Sequence, residues 1–132
     1  MNKAQEVLAL LEEERKWDID GKNYTQEELD AMKVIKVRGG LDLNDLGLTK
    51  FPSWVAKCEV SGSFFCDGNK LTSLEGSPKM VGGNFFCDGN NLTSLKYAPQ
   101  TVGGDFICTN NKKRFTEEEV KKVCRVSGKI YV

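Results

Sequence analysis

The chain has 132 residues, with 19 Lys and Arg against 19 Asp and Glu, no histidine, five cysteines and 13 glycines. That length bounds it to one domain with a modest core, and the formal charge of zero removes the global basic field that favours nucleic acid. No apolar stretch approaches the ~18 residues a membrane helix needs.

In chain order, Ala4, Val7, Leu8 and Leu11 recur at helical spacing and predict an amphipathic helix over residues 3–15. This segment lacks the basic start and unbroken apolar run of a secretory signal, so a cytoplasmic setting with reduced cysteines is expected. Next, Asp20-Gly21 between Trp17-Asp-Ile19 and Lys22-Asn-Tyr24 is a two-residue hairpin signal. Thr25 with Glu28 forms a capping box that opens a short helix to about Met32. Asp18, Asp20, Gly21 and Glu27 imitate part of a calcium loop, but the register puts Lys16 at the first ligand position and Asn23 where an apolar residue belongs. The hairpin is the better reading, and residues 1–33 are assigned as an N-terminal helical and hairpin cap.

Residues 34–132 repeat. LTSLEGSPKMVGGNFFCDGNN from Leu71 returns, 21 residues on, as LTSLKYAPQTVGGDFICTNNK from Leu92. Upstream, Val37, Gly39, Leu41 and Leu43 match Val60, Gly62, Phe64 and Cys66, and VSGKIYV at Val126 repeats VSGSFFC at Val60. Leu41, Phe64, Phe85, Phe106 and Ile130 share one apolar position, as do Leu43, Cys66, Cys87, Cys108 and Val132 two residues later. Period two means strand, so both sets face one side. Five strand-like units stacked as coils place successive strands in parallel about 4.8 Å apart. Gly68, Gly89 and Asn110 then tolerate a left-handed corner, Asn69, Asn90 and Asn111 follow, and Leu71, Leu74, Leu92 and Leu95 turn inward. The glycines at 39, 62, 83, 104 and 128 predict a backbone angle that a side chain would oppose, just before each strand. Thr116 with Glu119 opens a capping helix to about Cys124, with Val120, Val123 and Cys124 as its buried face, ahead of a terminal strand over residues 128–132.

F-x-C-x-x-N-x-L-T-S-L, at Phe64 to Leu74 and again at Phe85 to Leu95, resembles the leucine-rich repeat pattern, and the N-x-L-T-S-L-x-x-x-P run is similar to its bacterial form and to leucine-rich-like repeats of small phage proteins. The resemblance covers roughly residues 37–132. It implies an α+β repeat fold, a short parallel β-solenoid of about five coils, with a protein-binding surface. The end coils depart from the pattern, with Leu46 in the asparagine position and Lys113 in an inward leucine position, as terminal repeats do.

Chemistry-bearing motifs are sparse. Cys66, Cys87 and Cys108 share a position with Leu43 and Val132, which reads as core packing; Cys58 lies in a loop, and no C-x-x-C or histidine supports zinc. Gly82-Gly83 and Gly103-Gly104 lack the lysine and helix start of a phosphate cradle. Asp67 and Asp88 share one position and form either a paired-carboxylate site or a solvated rim. Without histidine, general-base chemistry has no obvious carrier, so no enzyme, cofactor or metal is expected.

Residues 1–33 carry nine acidic and five basic side chains, whereas residues 112–129 carry seven basic and three acidic. Lys112, Lys113, Arg114, Lys121, Lys122 and Arg125 therefore make a basic end, read either as a solvated cap or as a nucleic-acid or acidic-protein contact. Between the two inward sets lie Asp42, Phe65, Phe86, Ile107 and Tyr131, which point outward by period two. Such an apolar stripe marks a partner surface, a self-association surface, or a face covered by Trp17, Ile19 and Tyr24. The expected binding residues are Phe65, Phe86, Ile107 and Tyr131, with Asp67, Asp88 and Thr109 beside them. The resemblance adds the expectation of a phage protein that inhibits a host defence or regulatory protein in the host cytoplasm. A self-associating assembly protein and a nucleic-acid binder are the alternatives.

Overall fold

The computed structural model describes residues 16–132, so the helix expected over residues 3–15 lies outside the described part. β1 (Lys16–Ile19) and β2 (Lys22–Thr25) form the expected antiparallel hairpin, with Trp17 opposite Tyr24. Asp20 and Gly21 turn it with φ of 53° and 82°, and the Gly21 amide donates to Asp18 Oδ1 at 2.9 Å. α1 (Gln26–Ala31) starts at the Thr25–Glu28 capping box and buries Leu29.

From there the chain winds in coils, each contributing two short strands instead of the single one expected. One sheet has the order β3 (Ile35–Val37), β5 (Cys58–Val60), β7 (Met80–Val81), β9 (Thr101–Val102), β11 (Arg125–Val126). The other has β4 (Leu41–Asp42), β6 (Phe64–Phe65), β8 (Phe85–Phe86), β10 (Phe106–Ile107), β12 (Ile130–Tyr131). Every neighbouring pair within both five-stranded sheets is parallel. Register follows the repeat: Phe64 pairs with Leu41 and Phe85, and Phe106 with Phe85 and Ile130.

The glycine position is the corner between the two strands of a coil, and its reason is not the expected one. None of these five glycines has a positive φ; at these corners successive coils simply touch. A Cβ on Gly62 would lie 2.6 Å from the Gly39 carbonyl carbon, one on Gly83 would lie 2.8 Å from that of Gly62, and one on Gly104 would lie 2.9 Å from that of Gly83. Amides thread the same corner, Gly62 N–H to Gly39 O at 3.0 Å and Gly83 N–H to Gly62 O at 2.9 Å. Stacking distance, rather than backbone angle, excludes a side chain there. The left-handed corners fall where residue type predicted them, at Gly68, Gly89 and Asn110 with φ of 67°, 65° and 54°.

Between the sheets the inward sets pack as continuous ridges. Phe64 stacks on Phe85 with ring centroids 5.8 Å apart, and Phe85 lies 5.1 Å from Phe106. Cys66, Cys87, Cys108 and Leu71, Leu74, Leu92 and Leu95 are buried beside them, while Ile130 and Val132 of the last coil are half-buried. Each fully buried large side chain contributes on the order of 1.5–3 kcal/mol. Cys58 is not in a loop: it begins β5, is buried, and pairs with Ile35.

At the first-coil end, Trp17 packs edge-on against Trp54 at 5.3 Å. Lys57 Nζ donates to the Asp30 and Met32 carbonyls at 2.7 and 2.8 Å, which satisfies the open end of α1. At the other end α2 (Glu117–Val123) begins at its Thr116–Glu119 capping box. Val120, Cys124 and Phe115 supply its buried contacts, whereas Val123, expected inside, is 39% exposed. The last helical turn fails to aim Val123 at the core because Cys124 is already extended, with φ −142° and ψ 136°. The expected strand over residues 128–132 is reduced to β12, residues 130 and 131.

Candidate binding surface

The outer face of the β4–β12 sheet is held in place by the asparagines that follow each strand. Asn90 Nδ2 donates to the carbonyls of Cys66 at 2.9 Å and Cys87 at 3.2 Å, while its Oδ1 accepts the Leu71 amide at 3.0 Å. Asn69 makes the equivalent bonds to Leu43, Cys66, Leu46 and Leu48, and Asn111 those to Cys87 and Leu92. Each amide thus joins two coils through backbone groups, fully buried around Asn90 and partly buried around Asn111, as the column reading requires. A second ladder runs before each strand. Ser63 Oγ accepts the Asn84 amide at 3.0 Å, Asn84 Oδ1 the Asp105 amide at 2.8 Å, and Asp105 Oδ1 the Lys129 amide at 2.7 Å. Lys129 offers only donors, so the ladder stops at the last coil.

Between these ladders stand the four expected side chains. Phe65 and Phe86 stack with centroids 4.8 Å apart and planes 5° from parallel, and strand register brings Phe86 beside Ile107 and Ile107 beside Tyr131. Phe65, Phe86 and Ile107 are half-buried, Tyr131 is 46% exposed, and Asp42 occupies the same position in the first coil. The strip is about 15 Å long at the spacing of parallel strands. The hairpin does not cover it in the manner that Trp17, Ile19 and Tyr24 allowed. Trp17 and Ile19 are in the core, and the Asp20 carboxylate holds the hairpin to the first coil by accepting the Arg38 and Gly39 amides, both at 2.8 Å. Those two amides keep the Asp20 carboxyl below its usual range.

Asp67, Asp88 and Thr109 flank the strip and are half-buried, so the rim they form is only partly solvated. One oxygen of each, Asp67 Oδ1 and Asp88 Oδ1, is shut away from solvent with no hydrogen-bond donor. Burial first, then the neighbouring Asp88, Asp45 and Asp42, push the Asp67 carboxyl above its usual range against the pull of its own backbone amide. The opposite sheet presents a different outward set: Lys36, Glu59, Met80, Thr101 and Arg125, mixed in charge and with one large apolar side chain. Repetition alone therefore does not make an outward column apolar.

The remaining candidates carry less chemistry. Burial pushes the Cys66 and Cys87 thiols far up, that of Cys58 to about 12 and that of Cys124 to about 11, which disfavours thiolate chemistry. All five cysteines are free thiols. In the basic end, Lys113 pairs with Glu119 at 2.7 Å and Lys121 with Glu117 at 3.4 Å, so two of its six cations are engaged within the cap. Among the described residues no helix is long and apolar enough to cross a membrane. Comparison with protein-family models, with curated proteins and with solved structures gives no match.

Sequence reasoning missed the second sheet and the Ser63–Asn84–Asp105 ladder. The first was legible in the alternation of Ile35-Lys36-Val37 and Cys58-Glu59-Val60. The second had no signal, because serine, asparagine and aspartate share only the ability to accept an amide.

Proposed function

We propose that this chain is a non-enzymatic protein-binding module that engages its partner through the outer face of the β4–β12 sheet. The observation that carries this reading is the contrast between its two sheets. One presents Phe65, Phe86, Ile107 and Tyr131 side by side, and the other, built from the same repeats, presents a mixed polar set. Folding requires no such apolar column, and aromatic anchors concentrate interface energy. The repeat is of the leucine-rich type, on the F-x-C-x-x-N-x-L pattern. Its likeness to phage repeat proteins supports a target inside an infected bacterium, a defence or regulatory protein inhibited by occupation of its surface.

Affinity capture from bacterial lysate tests this, run with the unaltered protein, with Phe86→Ser and with Met80→Ser. The partner should be retained by the unaltered protein and by Met80→Ser, whose altered side chain lies on the other sheet, and lost by Phe86→Ser. Equal retention by all three contradicts the reading.

A further inference from the structure

The strip lies beside negative charge that no ion pair among the described residues compensates. At the outward positions of this sheet and its flanks stand Asp42, Asp67, Asp88 and Asp105, and the one basic residue among them is Lys129 in the last coil. Asp42 and Asp105 are used internally, accepting the Asn44 amide at 3.0 Å and the Lys129 amide at 2.7 Å. Asp67 and Asp88 are different. They follow the stacked Phe65 and Phe86 by two residues, each has a sequestered oxygen without a donor, and neither takes part in the two ion pairs found among the described residues. Strand register separates them by one coil, about 4.8 Å.

Taking the strip as the binding surface, we propose that it receives an extended segment of the partner carrying a basic side chain, arginine ahead of lysine. The stem lies along Phe65 and Phe86, and the guanidinium reaches the other carboxylate oxygens of Asp67 and Asp88, the two Oδ1 atoms being closed to a partner as they are to water. Charge complementarity selects a cation, because adding one to this pair relieves repulsion between like charges that no ion pair among the described residues relieves. Arginine is preferred for two reasons. Its planar fork can address two carboxylates at once, and its weaker hydration lowers the cost of bringing it to half-buried groups. An extended segment fits because its same-face side chains recur about every 6.6–7 Å, which sets two or three of them along the strip.

The test uses fluorescein-labelled nonapeptides in which arginine alternates with valine, and the same peptides with lysine or glutamine replacing arginine. Binding is followed by anisotropy to the unaltered protein, to Asp67→Asn/Asp88→Asn, to Phe86→Ser, and to Glu117→Gln/Glu118→Gln, which removes two charges from the cap instead. The arginine peptide should bind at least about tenfold more tightly than the glutamine peptide, with lysine between them. That preference should vanish in Asp67→Asn/Asp88→Asn and persist in the cap variant. If arginine and glutamine peptides bind alike and Phe86→Ser abolishes both, the cationic proposal fails while the strip remains the binding surface. An arginine preference that survives Asp67→Asn/Asp88→Asn, or disappears equally in the cap variant, overturns the proposal by showing that the charge acts elsewhere or diffusely. Binding of the arginine peptide that is untouched by Phe86→Ser overturns both readings. Absence of binding by all three peptides overturns the cationic proposal and leaves the strip to be judged by the capture experiment.

Discussion

Asn90 and Asp67 are both polar side chains within a stacked repeat, and the fold treats them in opposite ways. Asn90 satisfies backbone groups of two coils and is itself 6% exposed. Asn90→Ala should therefore leave a buried amide and carbonyls unpaired, at a cost of about 1–3 kcal/mol in urea unfolding. A native-like midpoint would contradict the role assigned to the ladder. Asp67 is held in a place that disfavours its charge. Because its carboxyl is raised in the folded state, ionisation costs stability, and that cost appears as pH rises through the raised value and is absent below the ordinary aspartate range. Asp67→Asn should accordingly raise the unfolding midpoint at neutral pH and change little at about pH 3, where the native carboxyl is protonated in either state. Stabilisation that is independent of pH would show that the cost of ionising the half-buried Asp67 carboxyl is not the cause. The cysteines are a matter of volume: Cys87→Val should stay near neutral and Cys87→Ala should cost about 1–2 kcal/mol, as measured by the same unfolding.

At the level of the strand and its corner, the repeat was legible because each coil obeys one alternation, and Phe64, Phe85 and Phe106 could be placed in the core from spacing alone. What was not legible is a distance between coils. The corner glycines looked like conformational specialists, since glycine signals both unusual angles and close approach, and only stacking separates the two. Gly83→Ala should therefore destabilise by about 1–3 kcal/mol through overpacking against Gly62, although its φ lies outside the left-handed region. A neutral Gly83→Ala would restore the angular explanation. Val123 was misplaced for a related reason: helical periodicity assigns a face, but the register of the last turn depends on where the chain leaves for β11. The hairpin at Asp20-Gly21 and the two capping boxes were legible because they are local, four-residue devices with their own chemistry.

For the molecule as a whole, two sheets built from the same repeats differ in what they show to solvent, and that difference is the basis for assigning a binding face. The sequence held the strip itself, because period two and the repeat length suffice to align Phe65, Phe86, Ile107 and Tyr131. It did not hold the position of the hairpin, which rests on Asp20 reaching the Arg38 and Gly39 amides across the first coil. Phe86→Ser removes a half-buried, stacked ring and should cost about 1–3 kcal/mol of stability, from the lost burial together with the lost ring pairing, while leaving the core ridges in place. The most direct measurement is carbene footprinting of the chain alone and in complex with the captured partner. Binding through the strip predicts loss of labelling at Phe65, Phe86, Ile107 and Tyr131, with Met80 and the exposed lysines of α2 unchanged. Protection at Met80 or at Lys121 and Lys122, with the strip labelled as before, would place the interface on the opposite sheet or the basic end and contradict the account.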